Sequence, residues 1–285
     1  MKVSQEEIQS WWQENPMTYD WRRTMRPPEM SREYFEEIDR RFFSSAWFAQ
    51  EKRQKAFSAL INYEALRNKD VLEVGCGSGA HSRLLVESGC RLTAIDLTSR
   101  AVELTRRRLE LWELKANIFE ADAEQLPFPD ESFDYVWSWG VIHHSENTER
   151  ALKEMCRVLR PGGQISIMVY HRTSLCYWVN FIFVHGVLMG KLLTMSMEEI
   201  CNRYSDGAIA RHYTKQEIRS LFAKYCRPLK IGIFGQMTEL LPLPGFLREP
   251  LIKIAPMNLK EFILTRWGHF LFVTGIKSTT KLETT

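Results

Sequence analysis

The chain has 285 residues, 45% of them hydrophobic and 26% charged, so it can bury a large core and lacks the bias of a disordered polypeptide. A formal net charge of +3 gives no electrostatic reason to expect nucleic acid as a partner. Six cysteines without a CxxC pair or zinc-ligand spacing point to a reducing compartment and no metal site, and the charged, core-less start argues against a secretory signal, so a cytoplasmic location is expected.

Two helices are expected first, at about 4 to 14 and 31 to 66. The proline-containing stretch between them, 15–28, cannot be helical throughout. Its neighbourhood is dense in aromatics, with Trp11, Trp12, Tyr19 and Trp21, which suits either a lid that walls an acceptor pocket or a strap packed on the core.

Residues 71–82 read as a buried strand, a glycine-rich turn and a helix start. Gly75, Gly77 and Gly79 follow Glu73 at alternate positions, a spacing that lets backbone lie against a ligand where a Cβ would collide. The helix that follows directs free N–H groups at the same place. Residues 91–96 form a second apolar strand ending in Asp96, 21 residues after Gly75, the separation expected of an acid that grips ribose hydroxyls. Gly75, Gly77 and Ala80 also satisfy the dinucleotide fingerprint with alanine in its third position, so an NAD-linked oxidoreductase fits this much of the chain.

The third segment, 118–137, with its Asp122-Ala123 pair and Asp134 before an apolar strand, resembles the adenine-binding and fourth-strand region of class I S-adenosylmethionine-dependent methyltransferases. The resemblance continues through 139–145, 154–163 and the strand 164–170, covering roughly residues 68 to 171, and is nearest to the group acting on quinones, sterols, sugars and natural products. It implies an α/β fold: a Rossmann-like, seven-stranded class I methyltransferase sheet with an N-terminal helical extension and a cap inserted after strand five. The implied organisation is a helical extension or lid at 1–66, an S-adenosylmethionine-binding core at 67–171, an inserted helical cap at 172–226, and strands completing the sheet at 227–285.

After strand five, 173–190 is an uncharged, 18-residue run on the threshold for a membrane span. Asn180, His185, Gly186 and Gly190 dilute it, and a segment inside a closed sheet cannot leave for a bilayer; a buried cap helix, an apolar substrate tunnel or an interfacial helix touching a membrane remain. A helix ended by Gly207 is expected from 197, and another after Thr214, whose N-cap and Glu217 make a capping box. Residues 229–234 and 270–276 are the last two strands, the final one antiparallel. The apolar, proline-broken stretch 240–256 between them suits an acceptor wall or a homodimer contact.

The resemblance assigns cofactor contacts to Glu73, which orients the turn, and to Gly75, Cys76, Gly77, Gly79, Asp96, Leu97, Asp122, Ala123 and Trp139. The chemistry is in-line methyl displacement onto an O, C or N atom of a small, partly hydrophobic acceptor. A general base, where the acceptor needs one, is sought among His143 and His144 after strand four, His171 after strand five and His212 before the late helix; against the first two stands a structural role in their loop. Tyr19, Trp21, Tyr170, Arg172 and His212 are candidate acceptor contacts. There is no Asn/Asp-Pro-Pro-Tyr or Pro-Cys after strand four, where Ser138-Trp139-Gly140 stands instead, which argues against methylation of DNA bases. A protein of this fold that binds S-adenosylmethionine without methyl transfer is the remaining alternative.

Overall fold

Val71, Leu72 and Val74 are apolar at near-successive positions, a pattern that a strand covered on both faces can bury. They lie in β1 (Asp70–Val74), at the centre of the one sheet of a computed structural model that describes residues 3–19, 25–49, 55–236 and 245–278. β2 (Arg91–Asp96), β3 (Asn117–Glu120), β4 (Phe133–Trp139) and β5 (Leu159–His171) run parallel with it. A short β6 (His212–Tyr213) pairs with the end of β5; β7 (Cys226–Phe234) and β8 (Phe270–Lys277) complete the order β3-β2-β1-β4-β5-β8-β7. β8 is antiparallel to both neighbours, as the sequence predicts of the final strand.

Helices cover both faces. α1 (Gln5–Glu14) and α2 (Arg32–Ser45) come from the extension; α3 (Ala80–Val86), α4 (Ser99–Leu111) and α5 (Thr148–Val158) follow β1, β2 and β4. One apolar layer holds Phe42, Phe57, Trp137, Phe270 and Phe272, the other Leu72, Val136, Leu152, Ile167 and Val273. α2 is fastened to α4 by the buried Arg108 guanidinium, which donates to Asp39, and by Phe35 and Ile38 against Leu104.

The extension departs from expectation in one respect. The second helix ends at Ser45 rather than near 66, because Ser44 and Ser45 turn their hydroxyls back onto the carbonyls of Arg41 and Phe42 and close the last turn. After β5 a π-helix, Cys176–Leu188, begins the cap, but only Phe181 and Gly186 of it are buried, so the buried-cap reading does not describe it. α6 (Met197–Tyr204) stops before Gly207, which has φ of +83°. α7 (Lys215–Phe222) starts at the expected Thr214 cap, with the Glu217 capping box formed. Within the proline-broken stretch, of which 240–244 lie outside the described residues, α8 (Gly245–Ile254) contains Pro250, and α9 (Met257–Trp267) leads into β8.

Candidate active site

The parallel strands β1 to β5 point their carboxyl ends the same way, and the loops beyond those ends form an open-mouthed cleft. Its floor is the glycine turn, and here the three glycines divide their work. A Cβ on Gly75 would lie 2.1 Å from Val141 Cγ2, and one on Gly79 3.1 Å from Thr105, so both are small because protein atoms press on them. Gly77 differs: a Cβ there would meet nothing nearer than Met17 Cβ at 4.0 Å and would stand in the cleft itself. Its absent side chain is room for a ligand against the backbone.

Asp96, at the tip of β2, holds this turn from the other side. One carboxylate oxygen accepts from the Gly77 N–H at 3.0 Å, the other from the Thr98 N–H at 3.1 Å and its hydroxyl at 3.0 Å, while burial pushes the carboxyl up from its ordinary value. Glu73 is buried beneath the turn, accepts from the Ser82 hydroxyl and is pushed up to about 8 by burial; it does not line the cleft, and neither does Gly79. Cys76, Leu97, Ala123 and Trp139 do, as does Asp122, which accepts from the Glu124 N–H at 2.8 Å.

Three glutamines missed in the sequence close this end. Gln5, Gln9 and Gln13 lie at i, i+4 and i+8 on α1 and so share a face. Gln5 Nε2 donates to Asp122 at 2.9 Å, and Gln9 Nε2 to the Leu97 carbonyl at 2.8 Å; Gln13 Oε1 accepts from Ser99 Oγ and the Arg100 N–H, each at 3.2 Å. α1 buries only Ile8, so polar contacts seat it over the cleft. A period-four stripe of glutamine was the available signal.

The other end is aromatic. Tyr19 stacks on Phe42 at 4.9 Å, Phe42 meets His81, and Trp139 stands 5.7 Å from His81. His81, two residues past Gly79, also lies outside the expected set: both ring nitrogens are buried without a partner, and burial pulls it down to about 3, leaving a neutral imidazole at the cleft wall. Trp21 falls outside the described residues.

Of the histidines after β4, His144 lines the cleft and His143 lies behind it, fully buried. His144 Nδ1 meets the Ile209 carbonyl at 2.5 Å. A carbonyl only accepts, so Nδ1 carries the proton and Nε2, which has no protein partner, presents a lone pair. Burial pulls the ring's pKa down, outweighing Asp206, and keeps it neutral. Gly207 makes this possible, since a Cβ there would lie 2.6 Å from His144 Nδ1.

The remaining candidates form a second layer. β5 outruns β4 by three residues, and β6 takes the vacant place, setting His212 beside Tyr170 and Tyr213 beside His171. The Tyr170 ring is 4.0 Å from His143 and 4.5 Å from His269, and its hydroxyl donates to Asp206 at 2.6 Å. His171 faces away, with Nδ1 on the Gly268 carbonyl at 2.9 Å and Nε2 on Thr173 at 2.6 Å, in a separate cavity. Arg172 donates to the His212 carbonyl and pairs with Glu217 at 3.0 Å. The structure therefore brings Tyr19 and His144 to the cleft and leaves Tyr170, His171, Arg172 and His212 off its lining.

Comparison with known proteins matches residues 72–167 to a methyltransferase domain family. That segment, about a third of the chain, is similar to methyltransferase domains. The chain is 32% identical over 124 residues to a malonyl-[acyl-carrier protein] O-methyltransferase of Enterobacter lignolyticus, covering 44% of this chain and 48% of that protein. It is 31% identical over 167 residues to the ubiquinone/menaquinone biosynthesis C-methyltransferase UbiE of Azotobacter vinelandii, covering 55% and 65%. The match thus spans about half the length of the first of these relatives and under two thirds of the second. Among solved structures, a SAM-dependent methyltransferase of Thermotoga maritima, described as a possible histamine N-methyltransferase, superposes with TM-score 0.52 at 20% identity over 86% of this chain and 97% of its own. The methyltransferase domain carries the glycine turn, Asp96 and Asp122, and the fold agrees with a class I methyltransferase sheet. These findings favour the methyltransferase reading over the dehydrogenase one.

Proposed function

We propose that the protein is an S-adenosylmethionine-dependent methyltransferase acting on a small, partly hydrophobic acceptor. One observation carries this: within the methyltransferase domain, the open Gly77 backbone, Asp96 and Asp122 converge on a single cleft whose far end is aromatic. The residues fit the cofactor. The backbone at Gly77 leaves space for its methionine part, Asp96 suits the ribose hydroxyls, and Asp122-Ala123 the adenine. S-adenosylmethionine, when bound, supplies an electrophilic methyl on a sulfonium.

The protein's part is placement and proton transfer. Trp12, Tyr19, Phe42 and Trp139 hold an apolar acceptor and exclude water; correct placement supplies on the order of 7–11 kcal/mol of barrier lowering. Where the acceptor is a hydroxyl or an acidic carbon, His144 Nε2 takes its proton as the new bond to the methyl forms, a step worth roughly 10²–10⁴-fold. His143, Tyr170, His212 and Asp206 position that ring and its loop. Residues 67–171 serve as the cofactor core, with 1–66 as a lid, 172–226 as the cap and 227–285 completing the sheet. We read the exposed apolar face of the cap and of α8–α9 as a contact with a membrane, not with a second copy of the chain.

Calorimetric titration with S-adenosylhomocysteine and, separately, NADH tests the reading. Binding of the first that Asp96→Ala weakens supports it; binding of NADH alone, or of neither, overturns it. Cofactor binding with no turnover over a broad acceptor panel would favour the alternative of a binder without methyl transfer.

A further inference from the structure

Among the described residues, every large apolar side chain that stands exposed, Phe119 excepted, falls in one of two segments, 178–193 or 247–267. A globular surface scatters such residues singly; their concentration marks an interface. The two segments meet. One cavity is walled by Leu175 and Trp178 from the first side and by Arg266 and Trp267 from the second, with Lys215 beside them. That lining holds two cations and no carboxylate, and residues 173–197 contain no acid at all.

We propose that these two segments together dock on an anionic lipid bilayer, which builds on the reading of this face as a membrane contact. Three features select a bilayer over a protein partner. Leu188, Leu193 and Ile254 are 72%, 89% and 78% exposed, so they project beyond the surface as insertion into an acyl layer requires, where a flat interface would need them level. Trp178 and Trp267 edge the cavity, and their amphipathic rings suit the headgroup level. Arg266 lies 3.7 Å above the Phe262 ring, and with Lys215 it places charge beside exposed apolar surface, where lipid phosphates would meet it. No helix among the described residues is long and apolar enough to cross a membrane, so the contact is peripheral. It also lies on the acceptor side. His171, in the cavity wall, follows Tyr170, whose ring packs on His143 behind the cleft.

The test is co-sedimentation of the full chain with phosphatidylcholine vesicles, with and without phosphatidylglycerol. The protein should sediment with the anionic vesicles, less so at high salt, and the triple variant L188S/L193S/I254S should lower its partitioning by about tenfold or more. Lys215→Glu with Arg266→Glu should abolish the preference for anionic over neutral vesicles. Titration of each variant with S-adenosylhomocysteine reports that it is folded and is independent of the membrane step, so a failure of the methyltransferase reading shows there and not in the sedimentation. The proposal is overturned if the protein stays in solution with anionic vesicles, if the triple variant binds as the parent does, or if the patch instead drives a concentration-dependent dimer that the triple variant loses.

Discussion

Gly75 and Gly77 both have positive φ, +82° and +53°, yet the structure gives them different reasons to be glycine, and alanine at each should fail differently. Gly77→Ala forces a Cβ residue into the left-handed region, at a cost of about 1–2 kcal/mol, which in a protein of this size lowers Tm by roughly 2–8 °C. Nothing in the protein opposes the new methyl, whose nearest heavy atom would be Met17 Cβ at 4.0 Å. The methyl would instead occupy the cleft floor, and overpacking of about 1–3 kcal/mol against a bound ligand means roughly a 5- to 150-fold loss of affinity. Gly75→Ala carries the same backbone cost and in addition drives its Cβ to 2.1 Å from Val141 Cγ2, so it should lose about 2–5 kcal/mol of stability. Val141→Ala removes that methyl and leaves its own Cβ at 3.3 Å, so the double variant should recover part of the loss. Thermal unfolding and calorimetry with S-adenosylhomocysteine separate the two effects. Parental affinity in a folded Gly77→Ala, or an unchanged Tm in Gly75→Ala, would refute this division of roles.

Once an acceptor is in hand, His144→Ala should lower kcat by about 10²–10⁴-fold with S-adenosylhomocysteine binding unchanged, and the acid limb of the parent's pH profile should lie below pH ~6.5, because burial keeps the base neutral to lower pH; an acid limb above that value would exclude the buried ring as the base. Glu73 is pushed up to about 8 from an ordinary 4.5, so the folded state holds a proton that the unfolded chain has released, and stability should fall as pH rises between those values and then level off. Glu73→Gln should flatten that slope in unfolding measured across the range, and an equal slope in both proteins would place the effect elsewhere. Removing the α1 contacts with Gln9→Ala and Gln13→Ala costs about 0.5–1.5 kcal/mol for each hydrogen bond lost and should weaken S-adenosylhomocysteine binding by roughly tenfold while speeding proteolysis before residue 15; unaltered affinity would mean that α1 does not close the site. Asp39→Ala leaves the Arg108 guanidinium buried and uncompensated and should cost about 3–5 kcal/mol in chemical denaturation, against little change for the exposed Arg32→Ala.

The turn and acids proposed for the cofactor were legible as structure because they are local in sequence. Strand, turn and acid occupy short stretches, and the positive φ values that the glycines adopt follow from the residues themselves; the Thr214–Glu217 capping box was readable for the same reason. The acceptor half is assembled across distance. His144 owes its free Nε2 to the Ile209 carbonyl and to the missing Cβ of Gly207, both more than sixty residues away, and no pattern around position 144 encodes them. His171, three residues past the last strand-four pair, is turned outward with β6 beside it and its Nδ1–H donating to the Gly268 carbonyl, so the residue chosen for its position at a strand end lies in a different cavity. The glutamine stripe on α1 reads in sequence as a solvated face; it becomes a latch only when β2 and β3 place Leu97 and Asp122 beneath it. The same dependence bears on the proposed acceptor end. The residues proposed for the cofactor lie within the matched segment 72–167, whereas α1, Tyr19, Phe42 and the loop at 205–211 come from outside it. A family match confined to 72–167 therefore says more about the proposed donor site than about the acceptor, and the acceptor is best sought by changing the aromatic end of the cleft and the cap beside it.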